Sequence, residues 1–87
     1  MEIELGRGFQ RKLIKLYRKD RGLGVKIDKK LSLFSHEPNA SGLRLHKLSG
    51  GKRGYWSLAI ESDLRIIFCF TKKGILLTDI GSHNEVY

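Results

Sequence analysis

The sequence predicts an α+β domain in which two helices cover one face of an antiparallel sheet, and three observations predict it. Apolar residues recur at helical spacing up to Pro38, the apolar period changes to two from Leu43, and two β-branched and aromatic runs near the end are joined by a short turn. The 87 residues suit one domain, with no internal repeat, low-complexity tract or linker to divide residues 1–87. A chain of this size buries only about 60% of the surface that its unfolded form exposes, so one modest core is expected. Hydrophobic residues make up 40% of the chain, with four Phe, three Tyr and one Trp, which is enough to fold without crosslinks.

Residues 2–5 read as a short strand. Phe9, Leu13, Leu16 and Tyr17 then recur on one side of a helix whose other positions hold Arg11, Lys12, Lys15, Arg18 and Lys19. Gly22 and Gly24 interrupt this pattern. A second helix follows through Ile27, Leu31 and Phe34, and Pro38, which cannot continue a helix, ends it in a loop with Asn39, Ser41 and Gly42. Leu43 and Leu45 alternate with Arg44 and His46, and Trp56, Leu58 and Ile60 with Ser57, Ala59 and Glu61, as strands require. Residues 64–70 and 75–80 are two further strands, joined by the turn Thr71-Lys72-Lys73-Gly74, while Ser62-Asp63 offers a tight turn before them. The expected order is a short strand, a helical hairpin, then a four-strand meander. The helices cover one sheet face and the other is left open.

Seventeen Lys and Arg against nine Asp and Glu give a net charge of +8, a positive potential that attracts polyanions. Nucleic acid is the expected anionic partner, and an acidic protein is compatible. A membrane surface is not, because no basic helix carries the aromatic face of an interfacial anchor. The acidic start Met1-Glu2-Ile3-Glu4-Leu5 is unlike a signal peptide, and no run approaches the roughly 18 apolar residues of a membrane span, so a cytoplasmic location is expected. The single Cys69 permits no internal disulfide, fits a reducing compartment and is expected to be buried.

Period-two alternation places Arg65 opposite in facing to Leu64, Ile66 and Phe68, and sets Arg44 and His46 apart from Leu43 and Leu45. Cleaving RNA without a metal needs a base for the 2′-hydroxyl proton, an acid for the leaving 5′-oxygen and cations at the phosphorus. Histidine can serve as either proton carrier, and a guanidinium grips two phosphate oxygens. His46, Arg65, His83 and Tyr87 supply that inventory, with Tyr87 able to stack on a base. Blander readings compete. A lone histidine is most often a surface or packing residue, and Arg65 could simply pair with Asp63 or Asp79. His36 reads as a helix-end residue matched to the dipole there. Tyr55 and Trp56 read as rim and core packing. Gly50-Gly51-Lys52-Arg53-Gly54 lacks the context of a phosphate-cradling P-loop and reads as a flexible basic loop near an RNA backbone. The three histidines lack zinc-ligand spacing, so no metal is expected.

His46-Lys47-Leu48-Ser49-Gly50, Trp56-Ser57-Leu58-Ala59-Ile60, Asp63-Leu64-Arg65-Ile66-Ile67-Phe68 and Asp79-Ile80-Gly81-Ser82-His83-Asn84-Glu85-Val86-Tyr87 resemble the RelE/ParE toxin superfamily, closest to its YafQ-like branch. The resemblance covers residues 43–87 by motif and the whole chain by length and element order. It implies a RelE-like fold and the toxin of a type II toxin–antitoxin system. Such a toxin is a metal-independent, ribosome-dependent endoribonuclease that cleaves mRNA, uses no cofactor and is neutralised by a cognate antitoxin. The pattern's histidine in H-x-L-x-G falls on His46, that of the closing G-[ST]-H segment on His83, the aromatic four residues beyond it on Tyr87, and an acid at a turn on Asp63. Arg65 matches an arginine held to contact phosphate. Arg44, Lys47, Lys52, Arg53, Arg11 and Lys15 are the expected grips on messenger and ribosomal RNA. Two departures stand out. A further histidine of the pattern falls where this chain has Ile60 or Glu61, and a basic residue falls on Asp79. The competing reading is a ParE-like toxin that inhibits DNA gyrase without cutting RNA. A third is an inactive homologue that serves only as a binding partner.

Overall fold

Residues 1–86 are described by a computed structural model, and up to Pro38 they follow the expected order. Strand β1 is Glu2–Leu5, helix α1 is Arg7–Lys19 and helix α2 is Leu23–His36. Phe9 is fully buried on α1 and Leu13 and Leu16 are half-buried, but Tyr17 is 45% exposed and lies off the stripe expected of it. Gly24 does not break the second helix, which already begins at Leu23; Ile27 and Phe34 bury its inner face. His36 closes α2, its Nδ1 2.9 Å from the Ser32 carbonyl, as a helix-end residue would.

Beyond Pro38 the expected first meander strand is shorter than the alternation implied. Ser41–Leu43 forms a 3₁₀ turn, Arg44 takes a left-handed conformation (φ 47°, ψ 49°), and only His46–Lys47 pairs as strand β2. The left-handed residue turns the chain, so Leu43 can enter the core while Arg44 stays outside, without a strand between them. Strands β3 (Tyr55–Glu61), β4 (Leu64–Phe70) and β5 (Gly74–Gly81) complete a five-stranded sheet in the order β1-β5-β4-β3-β2. All pairings are antiparallel except β1 with β5, which is parallel, so the short first strand joins the far edge of the meander.

Leu58, Ile66, Phe68, Ile75, Leu77 and Ile80 face the helices and pack with Phe9, Leu23, Ile27 and Phe34. Each of these fully buried side chains contributes on the order of 1.5–3 kcal/mol. Leu77 and Ile80 share that face although they are three residues apart. A register shift opposite Ile67 and Phe68 inserts Thr78 as an extra residue, so Ile67 pairs with Asp79 and Phe68 with Leu77. The bulge turns the end of β5, which bears on the open face. That face is not wholly free: Ile67, Leu48 and Val86 form a second, smaller core there, with Val86 carried by helix α3 (His83–Val86). Cys69 is half-buried rather than in the core, because β4 alternation turns it away from Phe68.

Candidate functional site

Register assembles the open face. One cross-strand row runs His46, Ser57, Ile67, Asp79, and the next runs Ala59, Arg65, Gly81. Arg65 thus lies between two small neighbours that leave room above the sheet for its long side chain. Gly81 has a further use: a Cβ there would come within 3.1–3.2 Å of Glu85 and Val86. A side chain there would require Glu85 and Val86 to give by a few tenths of an ångström, so glycine eases the close return of α3 beside Arg65.

Helix α3 is one turn long and is held at both ends. The Ser82 N–H donates to Glu85 Oε1 (2.8 Å) and the Glu85 N–H to Ser82 Oγ (3.3 Å), a reciprocal capping box. At the other end Lys52 Nζ donates to the Val86 carbonyl (2.7 Å), and Val86 is fully buried beneath. His83, the first residue of this clamped turn, is thereby presented at the mouth of a groove. The Ser82 N–H, and then the Ser82 hydroxyl, hold the Glu85 carboxyl below its ordinary value.

Arg44, Leu45, His46, Arg65 and His83 line one compartment of about 350 Å³. His46, Leu48, Ser49, Gly51, Lys52 and His83 line an adjoining one of about 450 Å³. The two histidines are common to both and so stand at the waist, with two guanidiniums on one side and the basic loop on the other. No described carboxylate lines either compartment. The arrangement offers proton carriers beside fixed positive charge, open to solvent on the sheet's free side, which suits an extended polyanion with a reacting phosphate at the waist.

The other sequence candidates fall elsewhere. Asp63 is exposed in the β3–β4 turn and does not line the groove. Neither Asp63 nor Asp79 forms a salt bridge with Arg65 among the described residues; Asp79 pairs with Lys12 at 2.6 Å. Lys47 is exposed opposite Trp56, on the row facing away from His46. Trp56 is half-buried and packs edge-on against Phe70 (5.8 Å), while Tyr55 is exposed at the rim. Arg53 is exposed in the loop, and Arg11 and Lys15 are exposed on α1, outside both compartments. Lys52 lines the groove but is tied to Val86. Tyr87 lies outside the described residues. The two positions that depart from the family pattern supply no replacement: Ile60 is buried, and Glu61 is engaged by Lys26, whose ammonium is held above its ordinary value chiefly by that hydrogen bond. Sequence reading missed α3 and its capping box, although Ser82-x-x-Glu85 is the spacing that signals one. Among the described residues no three His, Cys, Asp or Glu side chains gather as a metal-holding group, and no helix is long and apolar enough to cross a membrane.

No protein-family model matches this sequence, and no curated protein matches it. Solved structures do. The chain has the α+β fold of RelE/YafQ-like toxins, with three helices and a five-stranded mixed sheet among the described residues. Within that fold it is similar to YafQ from E. coli strain BL21(DE3), with a TM-score of 0.80 at 22% identity, covering 99% of this chain and 97% of that one. The E. coli DinJ-YafQ toxin-antitoxin complex matches with a TM-score of 0.79 at 23% identity over 99% and 96% of the two chains. A YoeB/ParE toxin from Agrobacterium tumefaciens matches with a TM-score of 0.78 at 20% identity over 95% and 99%.

Proposed function

We propose that this chain is the toxin of a type II toxin–antitoxin pair, a metal-independent endoribonuclease that cuts mRNA on the ribosome and is restrained by its antitoxin. The observation that carries the reading is the sharing of His46 and His83 between two groove compartments, with Arg44 and Arg65 beside them. The likeness to toxin structures, one of them in a toxin-antitoxin complex, supports the same reading.

In this mechanism one histidine takes the proton of the 2′-hydroxyl as its oxygen attacks the adjacent phosphorus. The other gives a proton to the departing 5′-oxygen, leaving a cyclic phosphate. Arg65, with Arg44 near it, meets the charge that grows on the non-bridging oxygens, where a guanidinium's paired donors fit. Tyr87 is assigned, from the family resemblance, the orienting or stacking of a substrate base. Asp63 receives no proton-transfer role, because it stands in the exposed turn.

Induced expression should arrest growth and yield transcripts cut within codons. Replacing either histidine by alanine should slow cutting of ribosome-bound message by about 10²–10⁴-fold. If His83→Ala and Arg65→Ala combined left arrest and cutting unchanged, the site would be wrong. DNA-damage signalling with intact mRNA would decide instead for a gyrase inhibitor.

A further inference from the structure

A third compartment, of about 320 Å³, joins the groove at Arg44, which lines both; its other walls include Lys30, Gly42, Ala59, Glu61 and Ser62. It borders the edge of β3 that β2 leaves uncovered. His46 lies opposite Ser57, and the Leu48 N–H donates to the Tyr55 carbonyl at 2.9 Å, so β3 bonds toward β2 through Tyr55 and Ser57. The alternation of an antiparallel ladder turns the N–H and C=O of Ala59 to the same side. In that register the partner of Ala59 would be Arg44. Arg44 is left-handed instead (φ 47°), and its N–H returns to the Ser41 carbonyl at 3.2 Å. Among the described residues no backbone hydrogen bond outside the ladders reaches Ala59, although Ala59 is only 5% exposed. A donor and an acceptor so placed normally have a partner. Glycine or asparagine takes the left-handed conformation more readily than arginine, so what the position gains from Arg44 is a guanidinium between two compartments.

From this geometry we infer that the compartment seats a nucleobase, hydrogen-bonded to the N–H and C=O of Ala59, with the adjoining phosphate on Arg44. Every base carries an acceptor and a donor side by side on its Watson–Crick edge, and an unstacked base of a single strand presents that edge. The base sits beside the waist where His46 and His83 meet, as the neighbour of the nucleotide being cut. The walls suit it. Lys30 Nζ donates to the Gly42 carbonyl at 2.8 Å and so pins the turn Ser41–Leu43, while Lys26 engages Glu61 and offsets a charge that would oppose the phosphate. A polypeptide strand fits less well, because it adds to an edge through several residues in succession and β3 ends two residues beyond Ala59. The inference deepens the nuclease reading, and rests on it only in taking the nucleotide as part of the strand being cut.

The test follows amide NMR spectra of the full chain during titration with adenosine 5′-monophosphate, with ribose 5-phosphate as the base-free control and an extended Thr-Val-Thr-Val peptide as the strand control. The mononucleotide is expected to move the Ala59 amide proton downfield, and ribose 5-phosphate to leave it in place. A Cβ at Gly42 meets Lys30 Nζ at 3.7 Å, an ordinary contact, so Gly42→Leu fills the compartment without a clash at Cβ. Gly42→Leu, and Ser62→Trp in the exposed turn, should each weaken the mononucleotide at least tenfold with the circular dichroism spectrum unchanged. A shift reproduced by ribose 5-phosphate, or wild-type affinity in both variants, overturns the proposal. So does a peptide that moves Ala59 where the mononucleotide does not, which assigns the edge to a protein strand. His83→Ala should stop RNA cutting and leave the Ala59 shift intact. A wild-type chain that shows the shift yet cuts no message would sink the nuclease reading and leave this one standing.

Discussion

His83 owes its place to the side chains on either side of it in sequence, because a four-residue helix has too few internal hydrogen bonds to hold itself. Ser82→Ala removes the cap at a typical cost of about 1 kcal/mol. Its expected signature is faster hydrogen exchange over residues 83–86 and, under the proposed mechanism in which Arg44 and Arg65 hold substrate, a fall in kcat with little change in KM. The other half of the box is pH-dependent. The Glu85 carboxyl is held low in the folded protein, so its contribution is complete above the ordinary glutamate value of about 4.3 and is lost as pH falls through the lower folded value. Thermal unfolding of wild type and Glu85→Gln should show a gap that is constant above about pH 5 and closes on acidification; a gap persisting in full at about pH 2 would exclude the carboxylate as its source.

Among the elements, β1 is the one most exposed to a single substitution. It reaches the sheet across Gly74, where a Cβ would lie 1.9 Å from the Glu2 carbonyl oxygen, so Gly74→Ala should force β1 off β5. The check is hydrogen exchange: amides of residues 2–5 should lose protection while β3 and β4 keep theirs. Such local detail separates what could be read from the sequence and what could not. The helices and β3 to β5 were legible because Ile27 and Phe34, or Leu58 and Ile66, repeat at the period of their own element. The Leu43–Leu45 alternation misled, because a left-handed Arg44 satisfies the same in-and-out pattern in three residues of turn. Parallel pairing of β1 with β5 and the Thr78 bulge leave no periodic trace. Of the three that line one compartment, His46 and Arg65 were legible as candidates by alternation and His83 by resemblance. Lys52 was not, since nothing local distinguishes a lysine that grips phosphate from one bound to a carbonyl 34 residues away.

For the whole molecule, the net charge of +8 predicts that single-stranded RNA binding falls linearly with log salt, by about 0.7 of a slope unit for each phosphate neutralised. Arg65→Ala should lower that slope by about 0.7, and Asp63→Asn should leave it almost unchanged, as titrations at several salt concentrations would show. The order in which the sheet can form adds a consequence of another kind. The partner of the first strand is the fifth, and Glu2 meets Gly74 only after every element from α1 to β4 has been made. Such a distant pairing closes late, since a long loop must be ordered before the contact rewards it. The groove needs β4 for Arg65, β5 for the bed of α3, and α3 for His83. A chain still short of β5 therefore carries its positive charge without the bed on which Gly81 and α3 complete the groove.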